Sequence, residues 1–262
     1  MDAAVSEAPP PVLTLLAHEV RWQLVRALAL SDYRVQELVN RIGRPLNLVS
    51  YHLKQLRAHQ LVTERRSSAD ARDVYYHLDL ERLHTLYFSS GEALHPAVTG
   101  CEPVPAAETQ TGAPARILFL CTHNSARSQM AEALVRHFGG KRVLAFSAGS
   151  QPAGVHPEAV RAMATMGIDI SQQQSKHLDV FANQSFDYII TVCDRVREVC
   201  PLFPTDPERI HWSFADPAAV EDAAARERAF QQTAQQLVTR IRHLISLIDR
   251  QARETARSSI SG

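Results

Sequence analysis

Residues 117–128 read ILFLCTHNSARS, an apolar run followed by a polar loop with one cysteine and one arginine. The four apolar residues predict a buried strand, and the amphipathic pattern from Gln129 onward predicts a helix. A loop between a strand end and a helix N-terminus directs backbone N–H groups inward, and the helix dipole adds positive potential. The sequence therefore predicts a site for a tetrahedral oxyanion.

The loop also supplies a nucleophile. The positive potential is expected to lower the pKa of Cys121 and make its thiolate available near neutral pH. Arg127 can bind two oxyanion oxygens through its planar guanidinium. A cysteine and an arginine at this spacing are also found by chance, as a buried thiol beside a surface arginine. The flanking strand and helix favour the oxyanion site, for which we predict Thr122, His123, Asn124, Ser125, Ala126, Arg127 and Ser128.

Composition limits the class of protein. The chain has 262 residues with 28 basic and 28 acidic side chains, which suits two ordinary domains and gives no overall attraction to nucleic acid. No apolar run approaches the roughly 20 residues that cross a bilayer. The N-terminus lacks the order of a signal peptide, so we expect a cytoplasmic protein with no membrane partner. Four cysteines are too few for a disulfide scaffold and favour catalysis, redox chemistry or inert burial.

The second half of the chain alternates between strand and helix patterns, which predicts an α/β domain with a doubly wound parallel sheet over residues 115–252. The expected strands are 116–121, 142–147 and 186–192, and the expected helices are 129–138, 157–166 and 223–251.

The first half has a different pattern. Apolar residues at helical spacing predict helices over 13–28, 35–42 and 46–59, with Leu46 among the residues facing the core. Strand-like runs follow at 61–65 and 73–78. Helices followed by a hairpin predict a winged helix-turn-helix domain, mainly α with a β-wing, over residues 12–90. Residues 91–114 contain four prolines and predict a linker.

Residues 116–251 resemble the low-molecular-weight tyrosine phosphatases and, within that fold, the thioredoxin-coupled arsenate reductases. The resemblance lies in CTHNSARSQMAE at 121–132, SAG at 147–149, FDYIITVC at 186–193 and Asp216-Pro217. It covers about half of the chain. It implies that Asp216 is the general acid, although an aspartate before a proline is also a common loop cap.

Two further cysteines separate the phosphatase and reductase interpretations. The resemblance implies that Cys121 attacks arsenate, that Cys193 then attacks Cys121, and that Cys200 takes over the disulfide, which reduced thioredoxin opens. We therefore expect an arsenate reductase with no bound cofactor and no metal site. The alternative is a tyrosine phosphatase. It has no use for the second cysteine pair, and in it aromatic residues usually stand where this chain has Ala218 and Ala219. A third interpretation, a regulator with an inactive enzyme domain, predicts a lost catalytic residue, and none is lost in the sequence.

One position departs from the reductase pattern. Some of these reductases bind potassium through residues matching Asn124, Glu132 and Ser147 together with an aspartate. Here Lys176 occupies the position of the aspartate. An ammonium there can replace the cation, so we expect no potassium requirement.

Residues 12–90 resemble the ArsR-type repressors, which are dimeric winged-helix proteins. The resemblance lies in NLVSYHLKQL at 47–56, AHQLV at 58–62 and RDVYYHL at 72–78, and it implies a homodimer on double-stranded operator DNA. Many relatives hold arsenite with a cysteine pair that this segment lacks, and Cys101 lies in the linker. The expected DNA-binding residues are Asn47, Ser50, Tyr51, Lys54, Gln55, Arg65, Arg66 and Arg72.

Overall fold

The computed structural model describes residues 8–95, 98, 113–198 and 207–260. The chain divides into two compact units, residues 1–66 with 73–108 and residues 67–72 with 109–262. Cys101, Cys200 and most of the expected linker lie outside the described residues. Within the described part, no helix is both long enough and apolar enough to span a membrane.

The first unit has five helices in its described part and an antiparallel sheet in the order β1-β3-β2. Its core contains fully buried leucines from several helices, among them Leu24, Leu38 and Leu56. The helices are α1 (Pro11–Leu16), α2 (Glu19–Leu28), α3 (Val35–Ile42), α4 (Leu46–Ala58) and α5 (Leu80–Leu94), and the strands are β1 (Tyr33–Arg34), β2 (Val62–Arg66) and β3 (Val74–Leu78).

Local interactions explain where some of these helices begin and end. Three expectations from the sequence are wrong in this unit. The single helix expected over 13–28 is two helices, because His18 has an extended backbone and its ring accepts a hydrogen bond from the Val20 N–H. Helix α3 ends at Gly43, whose φ of 67° suits a glycine. Leu46 does not face the core, since it is 49% exposed at the start of α4. Helix α5 was not predicted, and its last turn occupies the first residues of the expected linker.

The second unit is built on a parallel sheet, as predicted, which has four strands in the described part of the chain. Its strands are β4 (Ala115–Cys121), β5 (Val143–Gly149), β6 (Tyr188–Thr191) and β7 (Glu208–His211), in the order β5-β4-β6-β7. Cys121 pairs with Gly149 and Thr191 with His211, so the strands end together. The carboxyl ends of parallel strands meet at one edge of the sheet, which is where ligands bind in such folds.

Helices α6 (Arg127–Gly139), α7 (Pro157–Ala164), α8 (Asp194–Glu198) and α9 (Ala223–Ile260) complete this unit. Helix α9 packs against α6 through a buried stripe that includes Phe230, Leu237 and Ile241. Strand β7 and helix α8 were not predicted, because both are short and β7 exposes its first two residues. The remaining elements lie within a few residues of their expected bounds, apart from α9, which continues past 251.

Candidate active site

The Cys121 thiol lies at the bottom of the loop between β4 and α6 and is 4% exposed. Its sulfur accepts a hydrogen bond from the Asn124 N–H at 3.0 Å and lies 2.9 Å from Ser128 Oγ. These two contacts fix the sulfur against the loop that is expected to bind the oxyanion.

The carbonyl groups of the loop are turned away from the thiol. Thr122 O accepts from the Gln151 N–H at 2.8 Å, and Ser125 O accepts from the His156 N–H at 2.8 Å. His123 O similarly accepts from the Ala153 N–H at 3.1 Å. With its carbonyls bound on the outside, the loop can direct N–H groups inward, as an anion site requires.

Asn124 fixes this unusual backbone. Its φ of 46° lies in the left-handed region, which asparagine tolerates better than most residues. Its side-chain amide donates to Ser128 Oγ at 2.9 Å and to Ser147 Oγ at 2.8 Å. The loop also passes so close to β5 that a Cβ on Gly149 would lie 2.5 Å from Thr122 O. A side chain at position 149 would therefore displace the loop.

The pKa of Cys121 differs from the expectation. Burial raises the pKa of the Cys121 thiol, and the nearby Cys193 adds to the increase. The Ser128 hydroxyl, the charge of Arg127 and the Asn124 N–H act in the opposite direction but do not outweigh the loss of hydration. The predicted lowering was therefore wrong.

Arg127 begins α6 and is 8% exposed. Its Nη1 donates to Phe214 O at 3.0 Å, and its Nη2 lies 3.2 Å from Asp216 Oδ2. The other carboxylate oxygen of Asp216 accepts from the Ala218 N–H at 3.2 Å. Asp216 therefore contacts the arginine and also caps the short turn that follows, as the loop-cap interpretation expects; its role as the general acid stays a prediction.

Cys193 follows β6 and is 3% exposed, with its sulfur 3.4 Å from Thr122 Oγ1. Cys121 and Cys193 are both free thiols. The structure thus brings the expected residues Cys121, Arg127, Cys193 and Asp216 to one edge of the sheet. Cys200 lies outside the described residues.

Comparison with known proteins identifies the family of the second unit. The family model "Low molecular weight phosphotyrosine protein phosphatase" matches residues 116–254, just over half of the chain. The chain belongs to this family. Its sequence is 50% identical over 105 residues to an arsenate reductase of Brevibacillus brevis, covering 40% of this chain and 78% of that one. It is 41% identical over 129 residues to an arsenate reductase of Shouchella clausii, covering 48% and 91%. A structural match to a thioredoxin-dependent arsenate reductase of Corynebacterium glutamicum has 25% identity and a TM-score of 0.43, covering 86% of this chain and 96% of that one.

Behind the loop of this phosphatase-family unit lies a buried carboxylate. Glu132 is 2% exposed and accepts a hydrogen bond from Ser147 Oγ. Its charge is balanced by Arg136 at 2.5 Å and by Lys176, whose ammonium lies 3.6 Å away. The ammonium therefore lies beside the residues that the resemblance associates with potassium. Among the described residues, no group of three or more His, Cys, Asp or Glu side chains is arranged to hold a metal ion.

Two features near the thiols were not predicted from the sequence. Gln129 is fully buried, and its amide donates to the backbone oxygen of Asn124 at 3.0 Å. It directly follows Ser128, but a glutamine near a helix start carries no signal of its own. Asp194 and His211 form a second buried contact beside Cys193, at 3.1 Å. That pair was missed because β7 was not recognised as a strand.

The residues expected to bind DNA lie on α4, on β2 and in the connection between β2 and β3, and all but Arg72 belong to the first unit. Tyr51 is 56% exposed, and Arg72 is paired with Asp70 at 2.6 Å. Arg65 and Arg66 lie on β2. On α4, Asn47, Ser50, Tyr51 and Lys54 are exposed and Gln55 is half-buried.

Proposed function

We propose that this chain reduces arsenate to arsenite, with Cys121 as the nucleophile. The observation that carries the proposal is the second buried thiol, Cys193, next to the loop at 3.4 Å from Thr122 Oγ1. Phosphoryl transfer does not require a second thiol beside the nucleophile. The reduction of arsenate requires two electrons, which two thiols supply when they form a disulfide. The relatives named arsenate reductase support the same assignment.

The first step forms a bond between sulfur and arsenic. Arsenate is held by inward N–H groups and by the guanidinium of Arg127, and the Cys121 thiolate displaces one oxygen, which leaves as water after protonation. Asp216 lies beside Arg127 and is the group proposed to supply the proton. Arsenic remains pentavalent at this stage.

The second and third steps carry the reduction. The Cys193 thiolate attacks the Cys121 sulfur, and the electron pair of the sulfur–arsenic bond passes to arsenic, which leaves as trivalent arsenite. A Cys121–Cys193 disulfide remains. Cys200 then attacks Cys193, which frees Cys121 and leaves a Cys193–Cys200 disulfide. A dithiol protein of the thioredoxin class, in a reducing cytoplasm, would reduce that disulfide and restore the enzyme.

The test measures both turnover and stoichiometry. Arsenate-dependent NADPH oxidation is followed with thioredoxin and thioredoxin reductase, and arsenite is counted in a single turnover without reductant. We expect Cys200→Ser to release one arsenite per chain and then stop, and Cys193→Ser to release none. Cys101→Ser is the matched control and should turn over normally. Steady turnover by Cys193→Ser would contradict the relay.

Phosphatase activity is the second candidate, favoured by the contact between Arg127 and Asp216 at 3.2 Å. Those two groups and Cys121 would serve phosphoryl transfer equally well. Hydrolysis of an aryl phosphate by wild type, unchanged in Cys193→Ser and accompanied by no arsenite formation, would establish this alternative.

For the first unit, we propose a winged helix-turn-helix that binds double-stranded DNA as a homodimer, with domain bounds of 12–90, 91–114 and 115–252 along the chain. Support comes from the exposed polar side chains on α4, among them Asn47, Ser50 and Lys54, which suit a groove-facing helix. For the dimer, support comes from α5, where Tyr87 is 59% exposed and Leu94 is 73% exposed.

DNA binding can be tested with the full chain by selecting from a pool of random duplexes and measuring the affinity of the selected sequence against salt. Asn47→Ala with Lys54→Ala should reduce the affinity at least tenfold, since each base or phosphate contact contributes about 1–3 kcal/mol. Lys141→Ala, an exposed lysine of the second unit, is the control. Failure to select any sequence, or binding without salt dependence, would contradict the proposal.

A further inference from the structure

A buried acid–base pair lies beside Cys193 and takes no part in the steps above. Asp194 follows Cys193 directly, begins α8 and is 1% exposed. His211 ends β7 and is 2% exposed. Its Nε2 lies 3.1 Å from Asp194 Oδ1, and Ser213 Oγ donates to the same oxygen at 2.8 Å.

The other ring nitrogen of His211 faces β6. His211 Nδ1 lies 2.8 Å from Thr191 Oγ1, and the two residues are register partners in the parallel pair of β6 and β7. Thr191 precedes Cys193 by two residues and Asp194 follows it by one. One imidazole therefore bridges the end of β6 and the start of α8, with Cys193 on the short segment between them.

Burial makes this bridge stiff. A carboxylate removed from water needs donors. Asp194 has the His211 ring and the Ser213 hydroxyl on one oxygen, and its other oxygen accepts from the N–H and the hydroxyl of Ser68 at 2.8 and 3.0 Å. Hydrogen bonds to a charged group in a dry environment are stronger than those at the surface. The contacts thus restrict the backbone on both sides of Cys193.

We infer that His211 is a positioning residue that, through Thr191 and Asp194, holds Cys193 in place to attack the Cys121 sulfur. The inference rests on the proposed relay and concerns its second step. A misplacement of about 1 Å can slow an attack of this kind by roughly 100-fold. The first step depends on the loop, whose backbone is fixed by other contacts, such as those of Ser147 and Gln129 with Asn124.

The second step can be measured without arsenate. In a Cys101→Ser, Cys200→Ser background, Cys121 reacts with DTNB and releases one coloured thiolate. Attack by Cys193 on that mixed disulfide releases a second one and forms the Cys121–Cys193 disulfide. The first release reports the reactivity of Cys121, and the second reports the attack by Cys193.

Three variants in this background test the role of the ring. His211→Leu removes both nitrogens, whereas His211→Gln keeps one donor for Asp194. Thr233→Val is the control, because it removes a hydrogen bond of a buried threonine on α9. We expect the second release to slow by about 10- to 100-fold in His211→Leu and by less than about threefold in the other two, with the first release unchanged.

Two results would overturn the inference. One is a second release in His211→Leu within about threefold of the background. The other is an equal loss in both releases, which indicates a general structural role. If His211→Leu does not fold, Asp194→Ala gives the answer, because it removes the carboxylate together with its contact to the ring. An unchanged second release in that variant would also overturn the inference.

Single-turnover arsenite release separates this inference from the proposed function. If the background chain releases no arsenite, the proposed reductase fails, whatever the DTNB kinetics show. If it releases arsenite and His211→Leu releases it at the same rate, the positioning role fails and the reductase stands.

Discussion

Cys121 and Cys193, both buried thiols of the second unit, lie in different surroundings. Cys121 accepts from a backbone N–H at 3.0 Å and lies 2.9 Å from the Ser128 hydroxyl. Cys193 has the Thr122 hydroxyl at 3.4 Å, which is longer than either contact of Cys121. The restraints around Cys193 act on its neighbours, Thr191 and Asp194, rather than on its sulfur.

This difference suits the two roles proposed for the thiols, in which Cys121 attacks the oxyanion and Cys193 attacks Cys121. A nucleophile that attacks a bound oxyanion gains from having its sulfur fixed by contacts within the loop. A second thiol that attacks the first, and is then attacked itself, must change partners twice within one cycle. Its sulfur is therefore better held through its backbone than through strong contacts of its own. A phosphatase would need only the first arrangement.

The largest effect is expected where the loop meets the substrate. Arg127→Lys keeps the charge but loses the planar fork, so it should lower kcat/KM for arsenate by about 100- to 1000-fold, the effect of losing a main oxyanion donor. Arg161→Lys is a suitable control, since its partner Glu158 lies on α7. A loss of less than about tenfold would mean that the N–H groups dominate oxyanion binding.

The next largest effect is expected at the ion pairs of Glu132, the buried carboxylate behind the loop. Lys176→Met removes one of the two cations beside buried Glu132, and we expect the free energy of unfolding to fall by about 2 kcal/mol in urea titrations. Lys141→Met is the control for losing a surface charge. In wild type, replacing potassium with sodium should leave the activity unchanged. A steep rise of wild-type activity with potassium would show that the ammonium does not replace a cation.

A smaller effect is expected at the thiol itself. Ser128→Ala removes a hydroxyl that lowers the pKa of Cys121, so the pKa should rise further above the ordinary thiol value. Fewer molecules then carry the thiolate at neutral pH, and alkylation by iodoacetamide should slow by roughly tenfold, with the loss recovered as the pH increases. Ser147→Ala, one contact further away, should slow it less. A pH profile identical to that of wild type would show that the hydroxyl does not stabilise the thiolate.

The surroundings of Cys121 and Cys193 also differ in how far the sequence could predict them. The loop at 121–128 is continuous in the chain, so the order of strand, loop and helix was enough to predict where the loop and Cys121 lie. Lys176 and Glu132 were matched through a family pattern, and they do lie side by side. Local capping at His18, in contrast, divided a helix that apolar spacing alone predicted to be continuous.

The contacts around Cys193 come from separate elements and could not be inferred in this way. His211 reaches Thr191 only because β7 pairs with β6, and the pattern of residues 208–211 does not reveal a strand. The pKa of Cys121 was misjudged for a related reason. The helix dipole and Arg127 are visible in a sequence, but the desolvation of a thiol that is 4% exposed depends on the packed structure.

The smallest effect concerns Asp216, which shares Arg127 with the proposed oxyanion. The carboxylate is 37% exposed, so the ion pair is screened by solvent and contributes modestly. Asp216→Ala should free one edge of the guanidinium and tighten phosphate binding by about threefold, while turnover should fall because the proposed proton donor is lost. Protection of Cys121 from iodoacetamide by phosphate measures the affinity. Asp222→Ala is the control, since Asp222 caps the first turn of α9 through the Ala225 N–H. Weaker phosphate binding in Asp216→Ala would mean that the acid helps to hold the oxyanion rather than competing for the arginine.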